Sequence, residues 1–313
     1  MCRSAAATVS TQHASAHREA HVTKRLTSAY PPIPVRLGIS LGLRFHPNIR
    51  MSHPGPIGIF DSGIGGLSIA RRIRELLPNE DLLYVADSIH APYGEKSEHY
   101  IRQRADAVTR FLLEREAKAI VVACNTATVS AIRQLRADYT LPIIGVEPGI
   151  KPAALQSKSG VIGVLATSQT LKSESFNNLS RLFSESVRVE IQPCPGLVEQ
   201  IEALELDSKA TQTLAARYVQ PLIQKGADHI VLGCTHYAFL APLIRRAAGA
   251  HVEVVNTDMA VARETVRRLQ MHNLLSDSTQ AGSATFWSSA EPSLAHRQLS
   301  ELWGERLIVH PMG

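Results

Sequence analysis

The chain contains two similar segments, each of which ends a short apolar run with a cysteine followed by small polar residues. The first reads Ile-Val-Val-Ala-Cys-Asn-Thr-Ala-Thr over residues 120–128, and the second reads Ile-Val-Leu-Gly-Cys-Thr-His-Tyr over residues 230–237. Runs of valine, isoleucine and leucine are typical of strands buried in parallel sheets, and ligands bind beyond the carboxyl ends of such strands. The segments therefore predict that Cys124 and Cys234 lie at equivalent strand ends, where both thiols could face one ligand.

The similarity extends upstream of both cysteines. Residues 57–63 match residues 162–168 at an offset of 105, close to the offset of 110 between the cysteines. Because the offset is nearly constant and close to a usual domain size, it favours two duplicated domains. The alternative is that the strands match only because buried parallel strands all have similar compositions.

Helical patterns alternate with the apolar runs. Leu67–Leu77 has apolar residues at helical spacing and is followed by Pro78, a helix terminator. Strands alternating with helices predict βαβ units with parallel sheets. We therefore expect an α/β fold of two similar domains, each a mainly parallel sheet flanked by helices, related by pseudo-twofold symmetry with the active site between them. We expect residues 51–149 plus 258–313 to form the first domain and residues 150–257 the second.

The positive charge of the chain is concentrated in its first fifty residues. The whole chain has a formal net charge of +5, but residues 1–50 hold seven Arg or Lys and a single acid, which leaves −1 for the remainder. The distribution therefore gives no support for a basic nucleic-acid-binding face. The sequence contains no apolar run that approaches the roughly 20 residues of a membrane helix.

Residues 1–50 differ in composition from the rest, being rich in Ser, Ala, His and Arg. This composition fits an organelle transit peptide, but also a disordered or non-native extension before a true start at Met51. We favour the extension, because a strand pattern opens only six residues after Met51, at Ile57.

The four cysteines have no CxxC spacing, so they form no recognisable zinc or redox motif. We expect free thiols, a cytoplasmic protein, and no metal or other cofactor. An apolar-flanked cysteine is usually an inert core residue, but polar residues follow both Cys124 and Cys234 directly. A zinc site formed by Cys234, His236 and Cys194 is a minor alternative.

Polar groups also follow other predicted strands. Asp61-Ser62-Gly63-Ile64-Gly65-Gly66 opens a helix, where free N–H groups could bind an anion, although Asp61 better suits an ammonium group or a proton acceptor. Pro92-Tyr93-Gly94 reads as a tight turn after the strand Leu82–Ala86. Glu147 follows the strand Pro142–Val146, either solvated at a sheet edge or kept for chemistry.

Seven motifs in order give the chain a close resemblance to the glutamate racemase family over about residues 57–270. They are DSGIGGLS (61–68), PYGEKS (92–97), ACNTAT (123–128), GVEPGIKPA (145–153), GVLATSQT (163–170), CPGLVEQIE (194–202) and LGCTH (232–236). The segment 280–313 matches only loosely, and we expect it to supply a strand and a helix to the first domain.

The resemblance implies a cofactor-independent, two-base interconversion of L- and D-glutamate that supplies D-glutamate for peptidoglycan. One cysteine takes the α-proton as a thiolate and the other returns a proton to the opposite face. The resemblance assigns the D-enantiomer to Cys124, assisted by Asp61, and the L-enantiomer to Cys234, assisted by His236 with Glu147. The residues expected to bind the substrate are Asp61, Ser62, Tyr93, Gly94, Asn125, Thr126, Thr235 and His236.

Two other functions remain compatible with the sequence. One is a racemase for aspartate or another acidic amino acid, since the sequence does not give the depth of the pocket. The other is a non-catalytic amino-acid-binding regulator on the same fold, which would have no need of two thiols. The resemblance also predicts a homodimer, and it leaves open whether a peptidoglycan precursor activates the enzyme.

Overall fold

The fold is described from a computed structural model, which describes residues 55–312. The extension predicted for residues 1–50 lies outside the described residues. Within residues 55–312, no helix is long and apolar enough to span a membrane.

The first sheet has six strands, all parallel, in the order β10-β9-β2-β1-β3-β4. The strands are β1 (Ile57–Asp61), β2 (Leu82–Ala86), β3 (Ala119–Val122), β4 (Ile143–Gly145), β9 (Ala284–Ser288) and β10 (Val309–Pro311). β1 to β3 are fully buried, because helices cover both faces of the sheet.

The second sheet has four parallel strands in the order β6-β5-β7-β8. They are β5 (Val161–Ala166), β6 (Arg188–Pro193), β7 (His229–Gly233) and β8 (Glu253–Val255). This order repeats β2-β1-β3-β4 of the first sheet, so β3 and β7, which precede the two cysteines, occupy equivalent positions. The predicted α/β fold with two parallel sheets flanked by helices is confirmed.

Eleven α-helices connect or follow the strands within residues 55–312. They are α1 (Leu67–Leu76), α2 (Glu98–Leu113), α3 (Asn125–Asp138), α4 (Ile150–Gln156), α5 (Ser168–Lys172), α6 (Glu174–Leu182), α7 (Leu197–Glu202), α8 (Lys209–Gln224), α9 (Ala241–Ala248), α10 (Asp258–Met271) and α11 (Pro292–Trp303). Several begin at a side-chain cap: Ser97, Thr167 and Ser208 each accept a hydrogen bond from a backbone N–H of the first turn.

The C-terminal segment returns to the first sheet. α10 packs on α1, β9 pairs with β2, and β10 pairs with β9. The segment thus contributes two strands and α11, one strand more than the sequence predicted. The return brings α11 against α1, close to the loop that follows β1.

A buried ion pair in the first half also binds the chain just before the C-terminal segment. Lys118 and Glu80 contact each other with side chains only 5% and 3% exposed, and the other oxygen of Glu80 accepts the N–H of Ser276, 2.7 Å away. Lys118→Met would leave the Glu80 charge buried without its cation. We expect a loss of about 3–5 kcal/mol in the free energy of unfolding, measured by urea denaturation.

The matched control is Arg72→Met, which breaks the exposed ion pair between Arg72 and Glu75. This change should alter the free energy of unfolding by less than about 1 kcal/mol. Equal losses in the two variants would show that burial does not determine the contribution of the pair.

Candidate active site

The two cysteines end equivalent strands and cap the elements that follow. Cys124 is the N-cap of α3, and Cys234 is the N-cap of a 3₁₀ segment, Thr235–Leu240. Both have an extended backbone conformation and lie between a strand and the helical element that follows it, at the carboxyl edge of the sheet. Their side chains are buried, at 5% and 7% exposure, and neither forms a disulfide.

Cys124 is a buried thiol held at a helix N-terminus. Its Sγ accepts the N–H of Ala127 at 3.4 Å and lies 3.7 Å from Oγ of Ser62, to which the thiol donates. Burial raises the pKa of Cys124, and the negative charge of Asp61 raises it further, whereas the Ala127 N–H opposes the shift. Cys124 is therefore a thiol at neutral pH.

Cys234 has a histidine beside it. Its Sγ lies 3.8 Å from Nδ1 of His236, and Nε2 on the other side of that ring lies 2.7 Å from Oε1 of Glu202. Nε2 is also 4.0 Å from Oδ1 of Asp61. Burial disfavours the imidazolium, but Asp61, Cys234 and Glu202 together outweigh it and raise the pKa of His236 well above its usual value. A cationic His236 thus faces the Cys234 sulfur.

Asp61 connects the two halves of the site. Its carboxylate is fully buried and accepts the N–H of Gly63 at 2.8 Å and the hydroxyl of Thr235, from the other half, at 3.0 Å. Burial raises the pKa of Asp61, while His236 opposes the shift. Asp61 therefore acts electrostatically on Cys124, the cysteine that the resemblance expects it to assist, and on His236 as well.

The glycines of the loop after β1 permit this close approach. A Cβ atom on Gly63 would lie 1.8 Å from Oε1 of Glu202, and one on Gly65 would lie 2.4 Å from Nδ1 of His236. The N–H of Ile64 also donates to Oε1 of Glu202 at 3.0 Å. One of the free N–H groups expected in this loop thus donates to a carboxylate of the protein itself.

The structure does not bring Glu147 to His236. Glu147 is exposed in the turn after β4, and β4 is an edge strand of the first sheet. The carboxylate beside His236 is Glu202, at the end of α7, which follows β6. The expected pairing of His236 with Glu147 is therefore corrected to Glu202, which the sequence analysis did not single out although it ends the CPGLVEQIE motif.

Threonine hydroxyls join the two halves on the side of Cys124. Oγ1 of Thr126 lies 3.0 Å from that of Thr167 and 3.1 Å from that of Thr170. Gly94 lies against the same threonine, since a Cβ atom there would be 2.6 Å from Cβ of Thr167. Thr126 and Gly94, both expected to bind the substrate, thus lie at the junction of the two halves beside Thr167 and Thr170, which the sequence analysis did not name.

Tyr93 is buried in the wall of the first half. Its hydroxyl donates to Oδ2 of Asp87 at 2.5 Å, and Arg104 donates to both oxygens of Asp87 at 2.9 and 2.8 Å. Burial and the Asp87 carboxylate raise the pKa of Tyr93, so the phenol stays protonated. Because this hydroxyl is engaged, Tyr93 supports the loop 92–95 rather than offering a free donor.

Asn125 carries an unpartnered donor. It is the first residue of α3, directly after Cys124, and is only 2% exposed, yet its side-chain Nδ2 has no hydrogen-bond partner in the structure. A buried amide without a partner is costly, and ligand binding is one way to satisfy it. Nδ2 of Asn125 is therefore suited to bind an anionic group beside the Cys124 sulfur.

The minor zinc alternative has no geometric support. Among residues 55–312, no three or more His, Cys, Asp and Glu side chains are grouped so as to hold a metal ion. Cys194, the third cysteine in this range, donates to the carbonyl of Gln192 at 3.3 Å and is buried.

The arrangement provides two thiols in unlike surroundings within one enclosed site. Cys124 lies under the negative charge of Asp61, whereas Cys234 faces the cationic His236. The two sulfurs therefore differ in the groups beside them, since Nδ1 of His236 lies 3.8 Å from the Cys234 sulfur and the N–H of Ala127 donates to the Cys124 sulfur.

The chain matches a known family and curated proteins over most of its length. Residues 57–265 match the family model described as Asp/Glu/Hydantoin racemase. Glutamate racemase of Methylococcus capsulatus is 56% identical over 257 residues, covering 82% of this chain and 95% of that protein. Glutamate racemase of Ectopseudomonas mendocina is 53% identical, covering 82% and 97%.

Solved structures agree with these matches. Glutamate racemase RacE1 of Bacillus anthracis has a TM-score of 0.77 at 28% identity, covering 83% of this chain and 97% of that one. Escherichia coli glutamate racemase, solved in complex with L-glutamate and the activator UDP-MurNAc-Ala, has a TM-score of 0.72 at 33% identity, covering 82% and 98%.

Proposed function

The chain belongs to the Asp/Glu/hydantoin racemase family, and we propose that it interconverts L-glutamate and D-glutamate by proton transfer between two cysteines. The observation that carries the proposal is the placement of Cys124 and Cys234 at equivalent strand ends of the two repeated sheets, in one buried polar site. The names and identities of the matched relatives support glutamate as the substrate. We propose that the product serves peptidoglycan synthesis.

Cys234 is the base for L-glutamate in this scheme. The imidazolium of His236 stabilises a thiolate at 3.8 Å, and Glu202 keeps the imidazolium charged from the other side of the ring. The thiolate takes the α-proton and becomes a thiol. Since a free thiol ionises only above neutral pH, a neighbouring cation is what makes this base available.

Cys124 is the acid that completes the same turnover. Its pKa is raised by burial and by Asp61, so it holds a proton until the carbanion forms on the ligand. The Cys124 thiol then protonates the opposite face of the α-carbon, giving D-glutamate and a Cys124 thiolate, to which the Ala127 N–H donates. One thiol and one thiolate are present before and after the transfer, so the protons balance and the reverse reaction uses the same steps.

Neutral donors bind the substrate carboxylates. Nδ2 of Asn125 is free, and the hydroxyl of Ser62 lies 3.7 Å from the Cys124 sulfur. The hydroxyl of Thr126 lies at the junction of the two halves, and that of Thr235 donates to Asp61. As the α-proton leaves, negative charge grows on the α-carboxylate, and preorganised dipoles in a closed site stabilise it. The junction of the two halves excludes water from the carbanion.

Other expectations from the sequence stay predictions. A homodimer and a cytoplasmic location belong to this group. The sequence leaves open whether a peptidoglycan precursor activates the enzyme, and the Escherichia coli relative was solved with the activator UDP-MurNAc-Ala. Aspartate is the second candidate substrate, and the length of the pocket decides between glutamate and aspartate.

The test is a racemisation assay of purified residues 51–313 in D2O without added cofactor, on L-glutamate and on L-aspartate. We expect turnover of L-glutamate, with solvent deuterium entering D-glutamate well before it appears in unconverted L-glutamate, because separate bases handle the two faces. Preference for L-aspartate would overturn the substrate assignment. Equal early labelling of both enantiomers would overturn the two-base scheme.

A further inference from the structure

A glutamine on the C-terminal helix contacts the carboxylate that adjoins His236. Nε2 of Gln298, on α11, donates to the backbone oxygen of Glu202 at 2.5 Å and lies 3.3 Å from its Oε2. Gln298 is only 3% exposed, so water does not compete for these bonds. The contact spans 96 residues and comes from the segment that the motifs of the sequence matched only loosely.

The two oxygens of Glu202 have separate partners. Oε1 accepts from Nε2 of His236 and from the N–H of Ile64, and Oε2 faces Gln298. Glu202 is the last residue of the six-residue helix α7, and its side chain is 18% exposed. A carboxylate at the end of a short helix has other rotamers open to it, and the Gln298 amide favours the one that reaches His236.

The amide can serve only as a donor in this place. Both atoms of Glu202 that it meets are acceptors, and the Oε1 of Gln298 is left buried without a partner. A buried unpartnered oxygen costs free energy, and rotating the amide to relieve it would set oxygen against oxygen. An apolar side chain could fill this place without burying an unpartnered oxygen, so the glutamine is not explained by packing alone.

We propose that Gln298 is a positioning residue, which orients Glu202 and through it holds the His236 ring with Nδ1 toward the Cys234 sulfur. Gln298 touches none of the reacting atoms. The inference rests on the proposed function for its kinetic consequence, but its structural consequence, the state of His236, can be measured without turnover.

The first test is the titration of His236 in the full chain, followed by NMR of ¹⁵N-labelled histidine and assigned with His236→Gln. The groups facing His236 are Asp61, Cys234 and Glu202. In Gln298→Met the carboxylate of Glu202 is less well fixed, so the pKa of His236 should fall. An unchanged His236 titration in a folded Gln298→Met protein overturns the proposal, whether or not the protein racemises glutamate.

The second test is kinetic. Gln298→Met should lower kcat about tenfold with little change in KM, which is typical of losing one hydrogen bond to a charged group. The alkaline limb of the pH profile should move to lower pH, because His236 would lose its proton earlier. Gln298→Glu should lose more at neutral pH and recover toward acidic pH, where its carboxyl gains a proton and becomes a donor again.

Two controls separate positioning from a general effect on the fold. Arg297→Met changes an exposed neighbour on the same helix and should leave kcat and the His236 titration unchanged. In the Glu202→Gln background, Gln298→Met should cause no further loss of kcat, because its route of action is already removed. Additive losses would assign Gln298 a structural role only, while inactivity of the wild-type chain would overturn the proposed function and leave the NMR result to decide.

Discussion

Replacing Cys124 or Cys234 by serine is expected to lower the rate of racemisation in either direction by about 10²- to 10⁴-fold, the range that a positioned proton-transfer group contributes. A serine hydroxyl keeps the shape of the side chain, but it is far less acidic than a thiol. It can neither form the base beside His236 nor supply the acid beside Asp61. The measurement is the approach to equilibrium from L-glutamate and, separately, from D-glutamate, followed by circular dichroism.

Cys194→Ser is the matched control for these variants. Cys194 is also buried and directly follows a strand, β6. Its thiol donates to the carbonyl of Gln192, a hydrogen bond that a serine hydroxyl can also form. This variant should retain most of its activity. A wild-type rate in Cys124→Ser or Cys234→Ser would remove that cysteine from the mechanism, and loss of activity in all three variants would point to packing instead.

The sequence predicted the fold well because the apolar strand segments can be recognised locally and occur twice. Apolar runs such as residues 120–122 and 230–232 are typical of strands buried on both faces, as in a parallel sheet covered by helices. Each of the two runs is followed by a cysteine, and this repetition identified the two strands as equivalent. The second strand from the C-terminal segment, β10, was missed because it is three residues long and mostly exposed, so it has no periodic pattern of apolar residues.

The sequence predicted the site less completely, because contacts between distant segments have no local pattern. Asp61, Cys124, Cys234 and His236 could be named since each lies at the end of a strand or within three residues after it. Nothing in the spacing shows that Asp61 accepts a hydrogen bond from Thr235, 174 residues away. The same limit hid Gln298, whose partner lies in another part of the chain.

Glu147 and Glu202 show where this reasoning failed. Both follow strands of a parallel sheet, and the sequence favoured Glu147 through its motif. Glu147 follows β4 and its side chain is exposed, whereas Glu202 ends α7, beyond β6, and its carboxylate accepts the N–H of Ile64 in the glycine loop after β1. β4 and β6 are both edge strands, so the packing of the two halves decides which carboxylate meets His236, and that packing is not visible along the chain.

Glu202→Gln and Glu147→Gln give the sharpest test of this correction. Glu202→Gln removes a charge 2.7 Å from Nε2 of His236 while keeping the size of the side chain, so we expect kcat to fall about 10- to 100-fold, as for the loss of a charged hydrogen bond. Since Glu202 helps to raise the pKa of His236, its removal lowers that pKa, and the alkaline limb of the pH profile should move to lower pH. Glu147→Gln alters an exposed side chain and should change neither kcat nor the pH profile. The reverse ranking of the two variants would restore Glu147 as the partner of His236 in the reacting enzyme.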